Sequence, residues 1–278
     1  MSEVNVQDTA FWMASCRASD ESLSQDPLAK YWVTSQGHEL YELYLQEVSP
    51  SENLMMCLRN RFFLDRMRSF FDRHPDGILV NVGAGVTSYP YLLNRGHLCV
   101  EVDCAPVVSF KSQKMAELRK QGLVPERQVE FIDCDLDDGD QLLRLKTRLE
   151  KLVDRPSFIL IEGVIYYLKD KSVRDLLAIC AGIQRTGDQL GIVSWKPDFI
   201  DGSFYKNFSK FLSQRLGQEN GDYTFFDNSF FHNLPQYNLL EYVDNPQLLK
   251  KFKPGVNIES VGSYADEQLF VLERLAVK

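Results

Sequence analysis

Apolar residues recur along this chain in two periods, and the change between them falls near residue 76. Before it, residues 9–18, 26–48 and 51–74 carry apolar side chains three and four apart, the spacing that gives a helix one buried face. After it, short, nearly continuous apolar runs alternate with amphipathic stretches. Residues 78–82, 98–102, 129–133, 158–162 and 190–195 read as strands covered on both faces, the mark of a parallel sheet. Residues 90–94, 106–121, 139–153 and 171–184 read as the helices that cross between them. The pattern predicts an α/β fold built on a doubly wound, mostly parallel sheet in one domain: a helical cap over 1–75, a ligand-binding core over 76–198, and substrate-side helices over 199–278. In that last part an aromatic helical stretch, 199–218, leads into an irregular segment, 223–237, and Gly202, Gly217 and Gly221 suggest a mobile cover for the site. Two β-rich runs, 257–263 and 268–275, predict a C-terminal hairpin at the sheet edge.

Candidate chemistry concentrates at the ends of the predicted strands. The first strand ends in Gly83-Ala84-Gly85, where the missing Cβ atoms let the backbone turn tightly and approach a ligand. The second ends in Asp103, about 20 residues on, where a carboxylate can hold the two hydroxyls of a ribose. Ser88 stands where a dinucleotide fingerprint has its third glycine, and the loop has no P-loop lysine. A nicotinamide dinucleotide and a triphosphate are therefore poor matches. S-adenosyl-L-methionine, which has a ribose and an amino-acid tail but no phosphate, fits better. Asp135, after the third strand, can accept from the exocyclic amine of adenine, and Glu162, closing the fourth, can pair with the ammonium of the tail. Three successive strands thus bring carboxylates to the rim at which open α/β sheets bind ligands.

Composition narrows the partners. The net charge of −8 argues against a nucleic-acid surface, which needs clustered Lys and Arg. No run approaches the ~20 apolar residues that span a bilayer, and residues 1–8 are polar rather than leader-like, so a cytoplasmic protein is expected. The six cysteines form no CxxC pair and the four histidines no metal-binding motif, so neither a disulfide framework nor a metal site is expected.

With these motifs in place, the chain resembles the leucine carboxyl methyltransferase-like O-methyltransferases, from residue 9 to about residue 275. The resemblance is carried by Thr9-Ala10, Arg17 and Asp26-Pro27-Leu28-Ala29; by Arg61 with Asp65; by Asn81-Val82-Gly83-Ala84-Gly85; by Glu101-Val102-Asp103 and Asp135-Leu136; and by Glu162-Gly163-Val164 with Tyr167. Val86-Thr87-Ser88 departs from the family's usual aspartate-threonine pair. The resemblance implies the class I, Rossmann-like methyltransferase fold with S-adenosyl-L-methionine as cofactor. It implies that Arg17 and Arg61 serve the cofactor, Arg61 by pairing with its carboxylate. Gly83, Ala84 and Gly85 would approach its tail, Asp103 its ribose and Asp135 with Leu136 its adenine, and Glu162 would also contact it. The other arginines of 51–74, Arg59 among them, read as a solvated face.

For catalysis the sequence offers His232, the only histidine in the segment expected to cover the site, as a candidate base, and Tyr167 as a near-site residue. The expected reaction is O-methylation of a small-molecule hydroxyl or carboxylate. Alternatives are methylation of a protein's C-terminal carboxyl group and cofactor binding without turnover.

Overall fold

The structure is a computed structural model that describes residues 6–94, 97–217 and 223–276; Gln218 and Gly221, invoked above, lie outside these. Its N-terminal third is helical: α1 (Val6–Ser19), α2 (Glu21–Ser24), α3 (Ser35–Glu47) and α4 (Glu52–Arg73). The single helix expected over 26–48 is replaced by a turn at Ala29–Tyr31 followed by α3. Two local bonds account for the break. The Asp26 carboxylate accepts from the Leu28 N–H at 3.2 Å, and Thr34 caps α3 by accepting from the Gly37 N–H at 3.0 Å.

Strands and helices then alternate: β1 (Ile78–Val82), α5 (Tyr89–Leu92), β2 (Leu98–Asp103), α6 (Ala105–Lys120), β3 (Val129–Asp133), α7 (Gly139–Leu152), β4 (Ser157–Ile161), α8 (Asp170–Ile183) and β5 (Gln189–Trp195). These five strands are parallel, in the order β3-β2-β1-β4-β5, and β1, β4 and β5 are buried along their whole length. The order reverses beside β1, so the carboxyl ends of β1, β2 and β4 open onto the crevice of a doubly wound sheet. The element pattern predicted for this core matches the structure to within a residue or two at the strand ends.

The last quarter is α9 (Ser203–Leu216), α10 (Asn228–His232), β6 (Tyr237–Asp244), α11 (Asn245–Phe252) and β7 (Glu267–Arg274). The predicted hairpin is wrong in one arm. β7 pairs antiparallel with β5 on one side and with β6 on the other, whereas residues 257–263 form a short helical turn capped by Asn257. A register shift between Leu239 and Glu241 breaks the two-residue alternation of β6, and with it the signal that would have revealed the strand. The register also sets Glu267, the first residue of β7, opposite Trp195, the last of β5, at the crevice end of the sheet. Among the described residues no helix is long and apolar enough to cross a membrane.

Candidate active site

The loop after β1 is tied to the end of β2. The Gly83 N–H donates to the Val102 carbonyl at 2.9 Å, and the Gly85 N–H donates to the Asp103 carboxylate at 2.7 Å. The other oxygen of Asp103 accepts from the Cys104 N–H at 2.7 Å, so the carboxylate is fixed at the strand end and retains lone pairs for a ligand. Behind the loop, Lys111 of α6 is buried and donates to Glu101 at 2.7 Å and to the Ala84 carbonyl at 3.3 Å. Asn81 bridges Glu101 and the Thr87 hydroxyl, at 3.3 and 3.0 Å.

Gly83 has φ +66°, and a Cβ there would lie 2.7 Å from the Val164 Cβ. Gly85 also has positive φ, +46°, but its nearest neighbour would be the Ala10 Cβ at 3.8 Å. Gly83→Ala is accordingly expected to lose about 2–4 kcal/mol, combining left-handed backbone strain with overpacking. Gly85→Ala should lose only the strain, about 1–2 kcal/mol. Urea unfolding of the two variants measures the difference.

These elements enclose a cavity of about 310 Å³. Arg17, Gly83, Ala84, Gly85, Asp103, Asp135, Leu136, Glu162 and Tyr167 all line it. Arg17 is buried there, donating to the Val86 carbonyl at 2.9 Å and pairing with Asp26 at 3.3 Å. Burial pushes the Tyr167 phenol upward, which keeps it protonated and makes it a donor rather than a base. Aromatic contacts wall the far side: Tyr166 stacks on Trp195 with ring centres 3.8 Å apart, and Tyr223 packs against Tyr167. The Thr224 N–H donates to the Tyr166 carbonyl at 3.0 Å, which ties down the segment after α9.

Two expected site residues lie elsewhere. Arg61 pairs with Asp65 at 2.9 Å, lies over the Phe252 ring of α11 and does not line the cavity. Arg59 lines it instead. Two positions along a helix turn a side chain by about 200°, so these two arginines face opposite ways and only one can reach the crevice. Arg59 is buried, with Nε donating to Glu162 at 2.7 Å and Nη1 to Glu267 at 2.5 Å. Tyr89 donates to the second oxygen of Glu162 at 2.6 Å. His232 is also misplaced: it is exposed on α10, its ring 5.7 Å from Tyr242 and 6.0 Å from Phe270, because α10 packs on the β6–β7 edge rather than over the cavity.

The sequence reading missed Arg59, Glu267 and Glu52. Ser49-Pro50-Ser51-Glu52 has the spacing of a helix capping box, which explains the glutamate without any site. In the fold Glu52 is buried and lines the cavity, with Oε2 lacking a hydrogen-bond partner. Burial, reinforced by Glu267, pushes its carboxyl up to about 7, against the pull of Arg59, the Ala265 N–H and the Ser49 hydroxyl. Burial raises the Glu267 carboxyl as well, with Arg59 opposing.

The model of the leucine carboxyl methyltransferase family matches residues 6–181, more than half of the chain. The chain belongs to this family. A Mycobacterium avium (strain 104) protein, provisionally named an S-adenosyl-L-methionine-dependent methyltransferase, is 29% identical over 193 residues, or 66% of this chain. The match spans 61% of that relative's length. Among solved structures, one provisionally named a methyltransferase from Thermobifida fusca YX has a TM-score of 0.62 at 13% identity, over 96% of this chain and 94% of its own. A DUF574 family protein from Streptomyces avermitilis MA-4680 has a TM-score of 0.63 at 16% identity, over 96% and 97%. These two likenesses are of fold alone, and they take in β6 and β7, beyond the residues that the family model matches.

The cavity suits the cofactor of such methyltransferases. It offers a fixed carboxylate for a diol, glycine backbone for close approach, the buried Leu136 and Val107 as walls for a flat ring, and guanidinium groups for a carboxylate.

Proposed function

We propose that this chain is an S-adenosyl-L-methionine-dependent O-methyltransferase acting on a small molecule. The observation that carries the reading is one cavity, at the carboxyl ends of β1, β2 and β4, lined by the Gly83–Gly85 loop, Asp103, Asp135, Leu136, Glu162 and two buried arginines. Bound there, the cofactor supplies a methyl group already activated on a sulfonium. The protein's part is then to bind, orient and keep water out. Asp103 holds the ribose hydroxyls, and Asp135 with Leu136 holds the adenine. Arg17 and Arg59 face the carboxylate of the tail, with Arg59 taking the place expected of Arg61. Glu162, held by Arg59 and Tyr89, faces the ammonium. Aromatic walls from Tyr167 and Trp195 position the acceptor and exclude water; positioning of this kind contributes up to roughly 7–11 kcal/mol to rate.

The family's name favours a second reading, in which the acceptor is the C-terminal carboxyl group of a protein. A base-labile methyl ester on a polypeptide, detected by mass spectrometry, would support it over the first. Both readings require the cofactor. Calorimetry is expected to show S-adenosyl-L-methionine binding that Asp103→Ala weakens by about 1–3 kcal/mol, the cost of lost charge-assisted hydrogen bonds. A folded wild-type protein that binds none would overturn the proposal.

A further inference from the structure

The aromatic side of the cavity holds polar atoms that the cofactor assignment does not use. Trp12 stacks on Tyr44 at 5.0 Å, Tyr44 meets Phe208 at 6.3 Å, and Phe208 meets Trp195 at 6.0 Å, so these four rings form one connected wall. Glu52 and Glu267 line the cavity with them. Arg59 is shared between Glu162 and Glu267, and Arg17 is engaged by Asp26 and the Val86 carbonyl. Among the described residues lining the cavity these are the only Lys or Arg, so Glu52 has no cation of its own. Its Oε2 is a buried acceptor without a donor, and Trp12 Nε1 and Trp195 Nε1 are buried donors without acceptors. Buried polar groups left unpaired are costly, and a ligand that pairs them is favoured over one that does not.

A group able to pair with any of these atoms must both donate and accept. A hydroxyl does this. A carboxylate could accept from an indole N–H but could not donate to Glu52 Oε2, and it would add a negative charge to a cavity that Glu52 and Glu267 already line. An ammonium would pair with Glu52 and leave the indoles empty.

We propose that the acceptor is a phenol whose hydroxyl meets Glu52, and that Glu52 Oε2 takes its proton. The inference rests on the methyltransferase reading and names the acceptor class within it. The phenol's O–H bond breaks and leaves its electron pair on the oxygen as the nucleophile. The proton forms a bond to Oε2 and passes to water when the site next opens. A phenol, with a pKa near 10, is within reach of a carboxyl held at about 7, whereas an aliphatic alcohol is far from it. The aromatic wall, in which Phe208 stands nearly perpendicular to Tyr44 and to Trp195, suits an aromatic acceptor through stacked and edge-to-face contacts. The titratable and charged groups around Glu52 are Arg59 on its own helix, Glu267 on β7, Cys16 on α1, Tyr44 on α3 and Tyr167 after β4.

The test uses 2-naphthol and 2-naphthoate, which share a ring system and differ in the oxygen group, titrated by calorimetry into the full chain saturated with S-adenosylhomocysteine. At about pH 8 the wild type should bind 2-naphthol at least about tenfold more tightly than 2-naphthoate, the scale of one charge-assisted hydrogen bond. That preference should grow as pH rises through about 7, where Glu52 ionises. Glu52→Gln should still bind S-adenosylhomocysteine but lose the pH dependence and most of the preference; Glu52→Asp, which restores a proton acceptor, should regain part of both. Equal or inverted preference in the wild type, an unchanged pH profile in Glu52→Gln, or binding of neither naphthalene to the saturated protein overturns the inference alone. Failure of S-adenosylhomocysteine to bind in the first step overturns the cofactor reading and this inference with it.

Discussion

Arg59→Ala should lower the unfolding free energy by about 3–5 kcal/mol near neutral pH, the usual cost of removing one partner from a buried ionic cluster. The side chains of Arg59, Glu162 and Glu267 are 9%, 5% and 3% exposed, so removing the guanidinium leaves two nearly buried carboxylates without their cation. The loss should shrink in acid. Without Arg59 the Glu267 carboxyl, already raised by burial, loses the main influence holding it down. A folded-state carboxyl raised above its unfolded value binds its proton more tightly in the native protein. Stability therefore falls as pH rises from the unfolded value of 4.5 and is regained on returning below it. Urea unfolding at about pH 5 and pH 8 reads both effects. Arg61→Ala is the control: its pair with Asp65 is partly exposed, and its removal should cost no more than about 1 kcal/mol and leave cofactor binding intact.

Lys111→Ala is expected to be as damaging, again by about 3–5 kcal/mol. Lys111 and Glu101 are each 1% exposed, and Lys111 also holds the Ala84 carbonyl of the loop. Burial pushes the Glu101 carboxyl up and the Lys111 ammonium down, while each favours the charged form of the other. In the variant Glu101 keeps the Asn81 amide as a donor at 3.3 Å but loses the ammonium, so its carboxyl rises further and stability again falls with increasing pH. The double variant Glu101→Gln/Lys111→Met should recover most of the loss, because neither side chain then carries an uncompensated charge. If it unfolds as readily as Lys111→Ala, the damage lies in the loop contact rather than in the stranded carboxylate.

The core of the fold was legible because each parallel strand is a mostly apolar run, and four of the five end at or just before a glycine or a carboxylate. That local signal fixed β1 and β3 to the residue, and it brought Asp103, Asp135 and Glu162 to one cavity. What the sequence concealed depends on facing. Arg59 and Arg61 lie in one arginine-rich helix, and which of them points inward is decided by how α4 rolls on the sheet, not by either residue's neighbours in sequence. β6 was hidden by its bulge, and Glu267 reads as an ordinary residue before an apolar run until antiparallel pairing sets it opposite Trp195. His232 was chosen by elimination among histidines, which carries no information about direction. Glu52 carries no site signal in sequence, only the spacing of a capping box, and its burial appears only once β7 and the segment before it close over the start of α4.

The Arg59 cluster joins residues 103 positions apart on one side and 208 on the other. A chain emerging from the ribosome can lay down the loop, the ribose carboxylate and the adenine wall long before it can neutralise Arg59, whose partner Glu267 arrives only with β7. Until then this wall of the cavity lacks one anion and the edge of β5 is unpaired. Completion of the ligand cavity thus waits on β7, and the exposed β5 edge is the stretch most open to mispairing in the meantime.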